Sequence, residues 1–396
     1  MKRYAILAAL LVLLSGSAMV DAQERSPDDW LFMVYLDGDN NLERFGVYDL
    51  NEMESGLAMN PEANVAVLVL FDGGTGRHIG HEGAKIYLVE PDTSEQVKSR
   101  VVADLGEINM GDPATLRDFV DYGVSEYPAY NQPLVLWNHG SGWKALEEER
   151  TDVTKDVCFD DTDGDSLTTE ELSAIMPDLA YSCDGIELLG FDACLMQMFG
   201  IGYEFYEGVG VIAASEETEP GDGWNYEGLI GALALNSGMV PEELGNAIVE
   251  SYASFYSGWN EITISAINAQ SLPYVAEALY EFSMVLTDAL GTEREAIVSA
   301  RETTQSYAYA DYIDLYDFAE KVLQASGNDV VRGTAHNLME AIDGCVISEY
   351  SSSDITAHGI SIWFDEKYPD AYLLDRYGNL RAVETGWLDF LLAYYA

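Results

Sequence analysis

Basic residues are scarce in this chain. Among its 396 residues, Lys and Arg number 19 against 69 Asp and Glu, a net charge of −50. A field of that sign repels nucleic acid and anionic membrane surfaces, so neither is expected as a partner. It also pushes the compact chain apart, and salt near 1 M, with a Debye length of roughly 3 Å, relieves that strain. Such a surface suits a salty exterior. Cysteine is scarce too: Cys158, Cys183, Cys194 and Cys345 are the four. If one of them works as a thiolate, at most one disulfide remains, which excludes a disulfide scaffold. No apolar run beyond the N-terminus reaches the ~18 residues of a membrane span. A Gly-x-Ser-x-Gly elbow is missing, which argues against a serine hydrolase of that type. Fixed-period repeats and low-complexity linkers are missing as well.

What is present starts with an export signal. Lys2 and Arg3 precede an apolar stretch at 5–14, and Val20-Asp21-Ala22 offers small residues for cleavage. Position 17, where a lipid-anchored precursor would carry cysteine, is Ser17. The expectation is a secreted, soluble mature chain beginning near Gln23. With 48% hydrophobic residues it can bury a sizeable core.

Further along, strands are expected at 30–36, 64–71 and 85–90, with a helix after the Asp37–Asn41 turn. Asp112-Pro113 reads as an N-cap with proline at the first helical position, opening a helix to about 124. A long polar loop is expected at 141–165, and Thr168 with Glu171 forms a capping box. A further strand is expected at 209–214. From Pro241 onward helices dominate, at roughly 241–257, 271–290, 292–308, 311–325 and 329–342, interrupted by a strand at 261–267 and apolar runs at 346–347 and 359–364. Strands alternating with helices predict a largely parallel sheet covered on both faces.

Several motifs fail on inspection. Residues 208–213 match a dinucleotide-binding fingerprint by letter but lie inside a strand. Asp161, Asp163 and Asp165 start like a calcium loop, yet the required glycine is Ser166 and the closing glutamate is Leu172. A solvated acidic turn is the plainer reading. His78 and His81 have no companion ligands nearby.

Two apolar runs stop at residues able to do chemistry. One, at 134–137, runs into Asn138-His139-Gly140; the other, at 186–191, into Asp192-Ala193-Cys194. Reactive groups at the carboxyl ends of sheet strands face the crevice where open α/β sheets bind ligands. An imidazole near a thiol, or a helix opening at 195–206 just after it, would favour the thiolate. The Gly140 and Cys194 N–H groups could together hold an oxyanion. From spacing alone, a buried structural cysteine and a capping histidine explain the pair equally well.

At these residues the sequence resembles the clostripain family of cysteine peptidases, in the caspase-like clan. The resemblance rests on Trp137-Asn138-His139-Gly140-Ser141-Gly142-Trp143 and Asp192-Ala193-Cys194-Leu195-Met196. It extends through Val34 to Leu42, Asn109 to Pro113, Cys158 to Asp161, Leu167 to Leu172, Ser215 to Trp224 and His358 to Ile362. It implies an α/β fold, a caspase-like three-layer sandwich with a mostly parallel central sheet and a helix-rich C-terminal part. The expected division is a signal at 1–22, a catalytic domain at 23–268 and a helix-rich subdomain at 269–396 that adds late strands to the same unit. The resemblance also implies a secreted endopeptidase with a Cys194/His139 dyad that cleaves peptides or proteins after Arg or Lys. Asp192 would line the pocket for the basic side chain, with Glu217 and Asp222 as further pocket candidates. Self-cleavage in the 141–165 loop is expected at Lys155, then Arg150. No nucleic acid, no membrane after signal removal and no cofactor is implied. Calcium dependence occurs in part of the family, but the defective acidic loop lends it no support. The alternative is a catalytically silent protein of this fold that binds basic peptides.

Overall fold

Strand β1 (Asp28–Asp37) is buried from Trp30 to its end, and its side chains alternate between two separate cores. Leu31, Met33 and Tyr35 enter one; Trp30, Phe32, Val34 and Leu36 enter the other. A strand apolar on both faces must be covered on both, which makes the fold a three-layer one. The computed structural model describes residues 28–74, 76–144 and 157–396. The export signal and the cleavage candidates Arg150 and Lys155 lie outside the described residues.

After β1 come α1 (Glu43–Ala58), β2 (Val65–Asp72), β3 (Ala84–Leu88), β4 (Arg100–Gly106), α2 (Pro113–Glu126), β5 (Ala129–Asn131) and β6 (Leu134–Trp137). The middle of the chain supplies β7 (Val157–Asp160), β8 (Asp165–Leu167), α3 (Thr169–Cys183), β9 (Ile186–Asp192), α4 (Phe199–Phe205), β10 (Val209–Ala214), α5 (Tyr226–Leu235), α6 (Pro241–Phe255) and β11 (Thr263–Asn268). The remainder supplies α7 (Leu272–Thr303), β12 (Tyr312–Asp314), α8 (Leu315–Ala325), α9 (Asp329–Asp343), β13 (Val346–Ser351), β14 (Ser361–Trp363), α10 (Ala371–Asn379) and α11 (Trp387–Tyr395).

The main sheet runs β13-β11-β10-β9-β6-β1-β2-β3-β4, with β5 also on β1. Its five middle strands, β10 to β2, are parallel; both edges are antiparallel. The late strand β13 completes this sheet, so the C-terminal part shares one structural unit with the rest. One face is covered by α1, α5 and α6, through residues such as Leu50, Leu229 and Ile248, and the other by α2, α3, α4 and the C-terminal helices. Truncating a side chain as enclosed as Phe32 to alanine removes about 3–5 kcal/mol.

Local signals hold where they were read. Asp112 Oδ1 accepts from Ala114 N at 2.9 Å, and Thr168 and Glu171 form the reciprocal capping box. Three expectations change. The two helices expected at 271–308 are one 32-residue helix, α7, and the glycine within it, Gly291, meets no neighbour and is tolerated at a modest propensity cost. The end of the 141–165 loop is a β7–β8 hairpin. The helix expected at 195 starts at Phe199, because Leu195 takes φ +65° and cannot continue a right-handed helix.

Candidate active site

Parallel register aligns the strand ends. Leu36 pairs with Trp137, Asp37 with Asp72 and Trp137 with Asp192, so β1, β2, β6 and β9 stop in one row. The chemistry-bearing segments all leave from this row, and they stay close. Asn138 N donates to Asp192 O at 3.2 Å, joining the end of β6 to that of β9. Asn138 Nδ2 donates to Asp37 O and Phe159 O at 3.0 and 3.2 Å, and its Oδ1 accepts from His139 N. Gly140 then lies on the Cys194 peptide: a Cβ at this position would stand 2.4 Å from Cys194 O. Only glycine lets the two turns touch.

His139, Asp192 and Cys194 line one cleft of about 220 Å³, with Leu42, Trp137, Glu219 and Gly223 among its other walls. A larger cavity of about 650 Å³ opens at the amino ends of β9 and β10 and has neither cysteine nor histidine in its lining. Its size does not make it the reactive site. His139 is exposed, and its Nε2 lies 2.9 Å from Asn41 Oδ1. The Cys194 thiol is half-buried and accepts from Glu219 N at 3.3 Å. Burial pushes this thiol up, the Glu219 N–H pulls it down, and the nearby Asp192 carboxylate pushes it up again. No helix N-terminus assists, because α4 begins five residues after Cys194. Among the described residues the Glu219 N–H favours the thiolate, and His139 lines the same cleft. The φ of +65° at Leu195 directly after the thiol is the kind of backbone strain that collects at functional sites.

The floor of the cleft is acidic. Asp192 Oδ2 accepts from Trp224 N at 3.2 Å and from Tyr226 OH at 2.9 Å, and burial raises this carboxyl to about 6. Glu219 stands beside it, both oxygens buried and neither in a hydrogen bond of good geometry; the Trp224 indole N–H next to it is likewise unpaired. Burial first, then the neighbouring Asp192, raises the Glu219 carboxyl. Gly223, at φ +58°, keeps the floor open: a Cβ there would sit 2.9 Å from both Asp192 oxygens. Among the described residues no lysine or arginine lines this cleft.

Of the site residues expected from sequence, His139, Gly140, Asp192 and Cys194 come together. Glu217 and Asp222 do not join them in the cleft. Glu217 turns its carboxylate to Thr218 N and Ala308 N, at 2.7 and 3.1 Å, and Asp222 is exposed outside the lining. Glu219, Asn41 and Tyr226 were missed. The acidic loop did signal Glu219, but not which of its carboxylates turns inward.

For a metal, ligand oxygens of Asp39, Glu107 and Asp160 lie within 4.8 Å of one another, about twice a calcium–oxygen bond. Asp39 Oδ2 is buried without a partner, as is Asp72 Oδ2 nearby. An all-oxygen set with an unsatisfied buried carboxylate fits a calcium ion. Asp161, Asp163 and Asp165, read from sequence as a solvated acidic turn, lie at the β7–β8 turn, where Asp165 accepts from Asn109 Nδ2 and Ser166 N. His81 Nε2 is taken by Tyr87 OH, and His78 joins no ligand group. All four cysteines are free.

The comparisons with known proteins agree with this geometry. A profile described as the clostripain family matches residues 34–385. Clostripain of Hathewaya histolytica is 24% identical over 406 residues, covering 86% of this chain and 76% of that protein. A secreted C11 cysteine protease from Bacteroides thetaiotaomicron, solved with an irreversible peptide inhibitor, superposes with a TM-score of 0.68 at 22% identity, over 91% of this chain and 99% of that one. An inactive zymogen C11 protease from Parabacteroides distasonis superposes with a TM-score of 0.65 at 17% identity, over 91% and 98%. A profile match running from within β1 to the turn before α11 is a match to the whole folded unit, and by it this chain belongs to the clostripain family and is a cysteine-type endopeptidase.

Proposed function

We propose that this endopeptidase cleaves after Arg or Lys, with Cys194 as nucleophile and His139 as its acid–base partner. The observation that carries the specificity is the buried Asp192–Glu219 pair, which has no lysine or arginine partner among the described residues and a floor kept open by Gly223. Buried carboxylates are normally paired. Here the missing partner is supplied by the substrate's guanidinium or ammonium group, arginine gaining more through its two-pronged geometry.

His139 takes the thiol proton, and sulfur attacks the carbonyl carbon held above it. The N–H groups of Gly140 and Cys194 serve as oxyanion donors. His139 returns the proton to the departing amine, and water then hydrolyses the thioester. Asp39, Glu107 and Asp160 would hold a calcium ion behind this cleft, where its charge neutralises crowded carboxylates and braces the Asp37–Asn41 turn. Export follows from the basic-then-apolar N-terminus, and a similar structure is that of a secreted protease. Self-cleavage after Lys155 or Arg150 rests on the polar, acidic composition of 145–156 and on the zymogen described for a relative.

A peptidyl thiol-alkylating reagent ending in arginine tests the reading. It should label wild type with one equivalent at Cys194 and leave Cys194→Ala unmodified. Labelling that a neutral reagent matches in rate would reject the basic specificity. Mass spectrometry of freshly purified wild type and Cys194→Ala tests self-cleavage: an intact chain in both, or the same nick in both, rules it out.

A further inference from the structure

The turn after β1 is held on every side. Gly38 N donates to Asp72 O at 2.9 Å, and Asp39 N to Asp37 Oδ1 at 3.2 Å. Asn40 is committed on both ends of its amide. Its Nδ2 donates to Asp37 O and Phe159 O at 3.2 and 3.1 Å, and its Oδ1 accepts from Leu42 N at 2.8 Å. Phe159 O and Asp37 O are also the acceptors for Asn138, the residue before His139. One set of backbone carbonyls thus fixes both the turn carrying Asn41 and the turn carrying the imidazole. At the end of this construction Asn41 Oδ1 stands 2.9 Å from His139 Nε2.

We propose that Asn41 is a positioning residue for the reaction: its amide oxygen accepts from His139 Nε2–H, fixing the tautomer in which Nδ1 takes the Cys194 proton. The inference rests on the Cys194/His139 reading. An imidazole has two nitrogens, and in the neutral ring the one bearing hydrogen cannot act as base. Unrestrained, an exposed ring would share its time between tautomers and rotamers. Asn41 is itself exposed, but the turn that carries it is held by the Asn40 bonds, so its amide meets the ring before substrate arrives. The proton count is simple: the thiol proton moves to Nδ1 and on to the leaving amine, while the Nε2 proton stays in its bond to Asn41. As a neutral acceptor, Asn41 orients the ring while stabilising the imidazolium less than a carboxylate would. The titratable groups sharing the cleft are Cys194, Asp192 and Glu219, with Asp37 and Asp39 in the turn behind Asn41.

The test compares wild type, Asn41→Ala and Asn41→Asp by two readouts across pH: kcat and KM on a basic peptide amide, and the alkylation rate of Cys194 by iodoacetamide. Asn41→Ala should lower kcat by about tenfold or more, short of the roughly 10²–10⁴ an acid–base group itself contributes, with KM little changed. Its alkaline limb, which reports imidazolium deprotonation, should move to lower pH. In Asn41→Asp that limb should move to higher pH, and the near-isosteric acceptor should restore part of kcat. Equal melting temperatures would exclude misfolding. Unmoved limbs in both variants, or a loss confined to KM, would overturn the assignment of Asn41. A wild-type thiol with the alkylation profile of free cysteine would instead overturn the dyad reading beneath it.

Discussion

The loop after β10 contributes to two buried acid pairs, and they differ in one respect. Glu216 meets Asp314 in the first. Tyr307 OH donates to Glu216 at 3.0 Å and to Asp314 at 3.2 Å, Gly359 N donates to Glu216 at 2.9 Å, and His358 contacts Asp314 through both its N–H and its ring, at 2.7 and 3.1 Å. Three residues later Glu219 meets Asp192 in the second pair, and there, among the described residues, the Glu219 oxygens have no hydrogen bond of good geometry. Both pairs are equally acidic in sequence. A fully partnered pair is structural cement; the other, beside a thiol and open to the cleft, is the one on which the proposed preference for a basic side chain rests.

The largest expected effect tests that contrast directly. Asp192→Asn or Glu219→Gln should reduce kcat/KM for Arg and Lys substrates by about 3 kcal/mol, roughly a hundredfold, and neutral substrates far less. Equal losses on matched basic and neutral peptides would make the second pair structural as well. Asp314→Ala should do the reverse. It strands the His358 N–H and removes the carboxylate that caps α8 through Asp317 N, so urea unfolding should show a loss of about 2–3 kcal/mol with the basic preference intact.

Acidity separates the pairs at a smaller scale. The folded chain holds the Asp192 proton up to about pH 6, well above the ordinary value of 3.8. Affinity for a basic substrate should therefore fall about tenfold per unit as pH drops below 6, because the protonated carboxyl no longer attracts a cation. Stability runs the other way. A carboxyl raised on folding favours the folded state at acid pH and loses that contribution as pH climbs from 3.8 through 6. Asp192→Asn, neutral throughout, should melt higher than wild type at pH 8 and show no gain at pH 4. A separate effect, on stability alone, concerns the third acid group, Asp39, Glu107 and Asp160. Calcium near 100 times its Kd should stabilise by about 2.7 kcal/mol and raise Tm by a few degrees beyond sodium at equal ionic strength. Asp39→Asn should abolish that rise.

Much of the scaffold is local information and was readable in the chain. The apolar runs ending at His139 and Cys194 are strands because, Glu187 apart, their side chains cannot face water, and Asp112 and Thr168 cap helices through atoms two or three residues away. Alternation of strands and helices likewise implied parallel middle strands. The scarcity of basic residues by itself determined that a buried carboxylate could not count on a lysine or arginine partner. Which carboxylate would go without was decided only in three dimensions. Glu216, Glu217, Glu219 and Asp222 stand within seven residues on one loop, with no local cue to rank them. Their directions are set by distant groups: Thr263 Oγ1 accepts from Glu217 N, Ala308 N takes the Glu217 carboxylate, and Tyr256 OH anchors Gly223 O. The delayed start of α4 is of the same kind, because the left-handed Leu195 is held by a bond from its N–H to Glu217 O on the neighbouring strand's loop. Hydrogen bonds between residues tens of positions apart leave no periodicity in a sequence, so the strands that bear the chemistry were legible and the groups that aim it were not.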